Sequence, residues 1–159
     1  MVLSLEQTQV ASAFPEVTWS LTDQVCIYRP EGVLTSDVAA RLVSWLAEME
    51  SDLVQPFNRF SDLSHLQNSN IPLLDLANVA FWRRATYSGP TVKSAFLARS
   101  PASIALANAY KGFMTGSKIQ VAVFIRLEDA ASWLGVSPES LTRPDDRGSF
   151  GGNFDRRGE

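Results

Sequence analysis

A chain of 159 residues fits one domain, and folding at that size buries about two thirds of the surface the unfolded chain exposes, enough for a sizeable core. With 45% hydrophobic residues, 19% charged residues and a net charge of −3, the composition is that of an ordinary globular protein and gives no electrostatic reason to bind nucleic acid. No run reaches the ~18 apolar residues of a membrane span; the nearest, IPLLDLANVAFW, is cut by Asp75 and Asn78.

The opening MVLSLEQTQVASAFP lacks the basic and sustained apolar regions of a secretion signal, because Glu6, Gln7 and Gln9 interrupt it, and residues 1–16 read as a loose N-terminal arm. Val17 to Pro30 holds two β-branched and aromatic runs, VTWSLTD and QVCIYRP, which meet at Asp23-Gln24 as an antiparallel hairpin. From Val38 onward the apolar positions Val38, Leu42, Val43, Trp45, Leu46, Met49 and Leu53 recur at three and four, the period of a helix, with Thr35 or Ser36 placed to cap it. Arg41, Ser44, Glu48 and Asp52 fall on its solvated face.

Phe57 to Leu63 is a third strand, and Leu73, Leu76, Ala77, Ala80 and Phe81 form the stripe of a second helix with Pro72 in its first turn. Gly89 and Pro90 break that pattern. TVKSAFLA is a fourth strand, SPASIALANAYKGFMTG a third helix capped by Ser100 and ended by Gly116, IQVAVFIRL a fifth strand, and EDAASWLG a short helix. The order predicts an α/β fold: one single-layer mixed sheet of five strands, antiparallel in the first hairpin and parallel afterwards, with about four helices, spanning residues 17–136. After Val136 the chain turns rich in Gly, Asp and Arg, and residues 137–159 are predicted to form a disordered C-terminal tail.

Catalytic chemistry finds little to work with. Cys26 is the only cysteine, so no internal disulfide forms, which fits a reducing cytoplasm; mid-strand between Val25 and Ile27, its thiol is expected to be buried and inert. His65 is the only histidine, which removes two-histidine metal sites. The acidic pair Glu128-Asp129 starts a helix, where it favours the dipole, and Asp145-Asp146 lies in the tail. Gly148, Gly151 and Gly152 lack the strand-to-helix context of a phosphate loop. The expectation is no catalytic residue, no metal and no cofactor.

Phe81-Trp82-Arg83-Arg84 is the most prominent polar and aromatic cluster. Arg83 and Arg84 beside aromatic rings could contact an anion or a flat ligand, or they could be basic residues complementing a helix C-terminus while Phe81 enters the core. Arg99 and Tyr110 are placed near the carboxyl end of the fourth strand, where open α/β sheets bind ligands.

The segment from Val92 to Val136, with the strand VAVFIRL followed by LEDAASWLGV, resembles the closing strand and helix of small bacterial proteins of the SpoIIAA-like branch of the STAS superfamily. With the hairpin, the first helix and the SDLSHL strand, the resemblance covers roughly residues 17–136. It implies a regulatory or ligand-binding domain, since that superfamily includes anti-sigma-factor antagonists and lipid-carrying modules. In the antagonists a strand ending Asp-Leu-Ser is followed, about eight residues after the Asp, by Asp-Ser-Ser-Gly with a phosphorylated serine. Asp62, Leu63 and Ser64 match the first element, but the count leads to Asn70, Ile71, Pro72 and Leu73, so the phosphoacceptor motif is missing, with Ser69 just before the register. A plain reading gives Asp62 and Ser64 to loop amides and Ser69 or Asn70 to the cap of the second helix. The expectation is therefore a cytoplasmic, non-enzymatic STAS-like domain whose partner is a protein or a small apolar or anionic molecule, with a homodimer allowed. A phosphoswitch antagonist and an enzyme using Ser64 or Asp62 are the alternatives.

Overall fold

The structure, a computed structural model, describes residues 16–20, 22–53 and 55–142. In chain order the elements are β1 (Val17–Ser20), β2 (Val25–Tyr28), β3 (Gly32–Thr35), α1 (Ser36–Asp52), β4 (Asn58–Asp62), β5 (Leu66–Asn70), α2 (Leu73–Thr86), β6 (Val92–Leu97), α3 (Pro101–Phe113), β7 (Ile119–Phe124), α4 (Leu127–Leu134) and α5 (Pro138–Leu141). The main sheet has the order β1-β2-β4-β6-β7; β1 and β2 pair antiparallel and every other neighbour is parallel. This is the mixed five-stranded α/β sheet the element order predicts.

Period-two alternation sends successive side chains of the main sheet to two opposite faces, each with its own apolar cluster. Val25 and Ile27 of β2, Phe60 of β4, and Ala95 and Leu97 of β6 form one core with Ala130, Ala131 and Leu134 of α4 and Leu141 of α5. The opposite face packs Cys26 and Tyr28 against Trp45 and Met49 of α1, and Val92 and Ile119 against Ala80 of α2. The sheet is thus the middle of three layers. Two helices start on caps the sequence marks: Thr35 Oγ1 accepts from the Val38 amide at 3.3 Å, and Ser100 forms a reciprocal capping box with Ser103.

Four features depart from the sequence reading. A second sheet, of β3 and β5 paired in parallel from Gly32 opposite Leu66 to Thr35 opposite Asn70, is built from the segments that leave the carboxyl ends of β2 and β4. Its strands are short and half polar, so neither carries a periodic signal. Secondly, α2 is capped by Pro72 with no side-chain bond, not by Ser69 or Asn70, because those residues are held in β5. Thirdly, Phe81 is 58% exposed: the buried stripe of α2 runs through Leu76, Ala77, Ala80 and Arg83, and Phe81 lies one position off it. Fourthly, the tail expected over residues 137–159 begins with structure. Leu141 of α5 is buried, and its carbonyl accepts from Arg29 Nη2. Residues 1–15 of the expected arm and 143–159 of the tail, with Asp145-Asp146, Gly148, Gly151 and Gly152, lie outside the described residues. Among the described residues no helix is long and apolar enough to cross a membrane.

Candidate functional site

On β4, Arg59 shares the phase of Phe57 and Ser61, so it points to the opposite face from Phe60, into the layer of α1, α2 and α3. On α2, Arg83 follows Leu76 by seven residues and Ala80 by three, which puts it on the buried stripe. On α1, Glu50 comes one residue after the buried Met49. These three side chains meet. Arg83 Nη1 donates to Glu50 Oε1 at 2.7 Å and Arg83 Nη2 donates to Oε2, a bidentate fork. Arg59 Nη2 donates to the same Oε2, and its Nη1 to the Phe57 carbonyl. The side chains of Arg83, Arg59 and Glu50 are 2%, 7% and 12% exposed. Aromatic rings enclose them, with the Arg59 guanidinium 4.3 Å from the Phe57 centroid and 5.4 Å from that of Tyr87.

The arithmetic of charge matters more than the contacts. Two guanidiniums share one carboxylate, so one positive charge is held out of water without a counter-ion among the described residues. Burial pulls the Arg59 guanidinium down from its usual value, Glu50 holds it up, and the like charge of Arg83 pulls it down again. Arg59 Nε, buried, has no hydrogen-bond partner among the described residues.

This charge borders a void. A cavity of about 110 Å³ lies between the sheet and the α1–α3 layer, walled by Leu42, Leu46, Leu76 and Val79 from the helices and by Phe96 and Ile119 from the sheet. Its polar members are Arg59, Arg83, Ser61, Ser94 and the phenols of Tyr28 and Tyr110. Ser94 stands opposite Arg59 in the β4–β6 register. Burial raises the Tyr110 phenol, with Arg83 and then Arg59 opposing, so Tyr110 stays a neutral donor within the electrostatic reach of both arginines. A second hollow of about 260 Å³, bordered by Glu50, Phe57, Arg59 and Tyr87, lies at the other side of the cluster, and Arg59 borders both.

Of the residues the sequence singles out, Arg83 and Tyr110 reach this site. Arg84 does not: it is exposed, and its Nη1 donates to the carbonyls of Phe113 at 3.0 Å and Thr115 at 2.6 Å, closing the end of α3. Arg99 is exposed and donates from Nε to the Ile125 carbonyl at 3.2 Å. Asp62 Oδ1 accepts from the Ser64 amide at 3.0 Å and from the Ser64 hydroxyl, a local turn at the end of β4. Ser69 is in β5 opposite Leu34. Glu50 and Arg59 belong to no motif; the signals that point to them are period two along NRFSD and the helical spacing from Leu46 to Glu50, each of which puts a charge on a core face. Cys26 is buried with its thiol pushed up to about 12, chiefly by burial, while His65 is exposed in the β4–β5 turn.

No family model and no curated protein matches the chain. Among solved structures, the fold matches an uncharacterised protein of the DUF3478 family from Shewanella loihica, described as having a SpoIIAA-like fold. The TM-score is 0.50 and the identity 14%, over 74% of this chain and 90% of that one. At this identity the likeness concerns architecture alone. It agrees with the sheet order and with the resemblance carried by residues 17–136: the chain has a SpoIIAA-like α/β fold.

Proposed function

We propose that this SpoIIAA-like domain is a non-catalytic binding module whose ligand is a small molecule held in the cavity between the sheet and the α1–α3 layer. The observation that carries this reading is an unbalanced pair of buried arginines at the wall of an apolar void. Protein interiors hold few voids larger than a water molecule. This cavity is partly open, so a small molecule can reach its apolar wall from solvent. A core that keeps an uncompensated charge beside such a cavity is better explained by an occupant than by poor packing.

A non-catalytic role is supported by the separation of the chemically active groups. The buried Cys26 and the exposed His65 make no dyad, and Asp62 and Ser64 satisfy each other in a turn. A protein partner would instead use the exposed side chains of α2, Leu73, Leu74, Phe81 and Trp82. The cavity is the stronger candidate, because it joins shape with buried charge.

Native mass spectrometry of the protein purified from its own host tests the reading. The expected result is a stoichiometric small adduct lost on denaturation. An adduct-free mass, together with no shift of the Leu42, Leu76 or Val79 methyl resonances across a fragment series of neutral and charged compounds, would overturn it.

A further inference from the structure

Charge and volume narrow the ligand, an inference that rests on the binding role just proposed. We propose that the cavity takes a monocarboxylate with a compact branched or cyclic hydrocarbon body of about four or five carbons, its carboxylate paired with Arg59 and Arg83 on the cavity wall.

The first support is electroneutrality. The cluster holds two cations and one anion, so one added negative charge makes two guanidiniums face two carboxylates. A neutral ligand leaves the buried charge unpaired, and a dianion replaces one excess charge by another; both carry the desolvation cost a single anion removes. Donors are also free. Each guanidinium has five N–H groups; Arg83 commits two to Glu50, and Arg59 commits one to Glu50 and one to the Phe57 carbonyl, with Arg59 Nε unpartnered among the described residues. The Ser94 hydroxyl, across the register from Arg59, and the neutral Tyr110 phenol supply two more donors on the cavity wall.

The second support is size. An apolar cavity of roughly 150 Å³ holds a benzene ring, so about 110 Å³ encloses a body somewhat smaller, and most of an extended acyl chain would lie outside it. The apolar wall explains why an inorganic anion is not the match: phosphate would satisfy the arginines while leaving Leu42, Leu76 and Val79 facing a void.

The test is a charge series of equal shape, read by calorimetric titration and thermal shift on the full chain at pH 7: isovalerate, isovaleramide and isopentylamine, with inorganic phosphate and palmitate as controls. Isovalerate is expected to bind and to raise the melting temperature with concentration. Isovaleramide should bind about tenfold or more weakly, as a hydrogen bond to a charged group is lost, and the amine, phosphate and palmitate should give no shift. If isovaleramide binds as well as isovalerate, the carboxylate inference falls while the binding role stands. Phosphate binding as tightly as isovalerate would overturn the hydrocarbon half of it. If neither these compounds nor pressurised xenon enters the cavity, the binding role falls as well. Loss of the acid-over-amide preference in Arg83→Met, with amide binding retained, locates the discrimination at the cluster.

Discussion

Glu50 is the residue on which the buried charges depend. It receives three guanidinium N–H groups from two arginines, and among the described residues no other carboxylate pairs with either. Glu50→Gln keeps the size and an acceptor oxygen but removes the charge, leaving two buried cations unbalanced. Removing one partner of such a cluster costs about 3–5 kcal/mol, which at an m-value of about 2 kcal/mol per M lowers the urea midpoint by roughly 1.5–2.5 M; an unchanged midpoint would mean the cluster is hydrated and not buried. A pH dependence follows from two other buried groups. Burial raises the Cys26 thiol from 9.0 to about 12 and the Tyr28 phenol from 10.0 to about 12. Both raised groups keep their protons in the fold while the unfolded chain begins to lose them above about pH 9. Their contribution is therefore intact below pH 9 and is lost as the pH rises toward 12, with a slope of up to about 1.4 kcal/mol per pH unit for each group. Urea midpoints at pH 8, 9 and 10 should fall less steeply in Cys26→Ala than in the wild type, and native Cys26 should resist iodoacetamide at pH 8.

At the scale of elements, what is readable from the sequence depends on whether one helix or strand carries its own period. The stripe of α1 and the caps at Thr35 and Ser100 are local, and each is where the spacing puts it. Ser100→Ala should cost about 1 kcal/mol, read in the same titration, because the Ser103 amide loses its acceptor and the Ser103 hydroxyl loses the bond from the Ser100 hydroxyl, while the Ser100 amide still donates to Ser103 Oγ. The β3–β5 ladder has no such signature: LQNSN is polar, and its pairing with GVLT exists only because β2 and β4 deliver the two segments side by side. That ladder is also why the second helix lacks its expected cap. Arg83 shows the intermediate case. Its phase with Leu76 and Ala80 is visible in the sequence, but a charge in phase with a core stripe reads as a helix end until Glu50, 33 residues earlier, is known to face it.

At the scale of the molecule, the mixed sheet and the direction of its strands follow from the alternation of elements, whereas the cavity does not, because it is the space that α1, α2, α3 and the sheet leave when packed, and no single segment encodes it. Whether that void and its charge serve the fold or a ligand is decided by removing the charge altogether. Replacing a buried ionic cluster by apolar residues of similar volume is often neutral or stabilising by about 1–4 kcal/mol, unlike removal of one member. The triple change Glu50→Leu, Arg59→Met and Arg83→Met should therefore restore or exceed wild-type stability in urea, reversing the loss seen in Glu50→Gln alone. The same protein should retain weak binding of isovaleramide and lose its preference for isovalerate. Higher stability with lost selection would mean that the arginines are kept at the fold's expense for recognition. A triple variant as unstable as Glu50→Gln would mean that they are kept for the architecture, and that the cavity owes its polarity to packing.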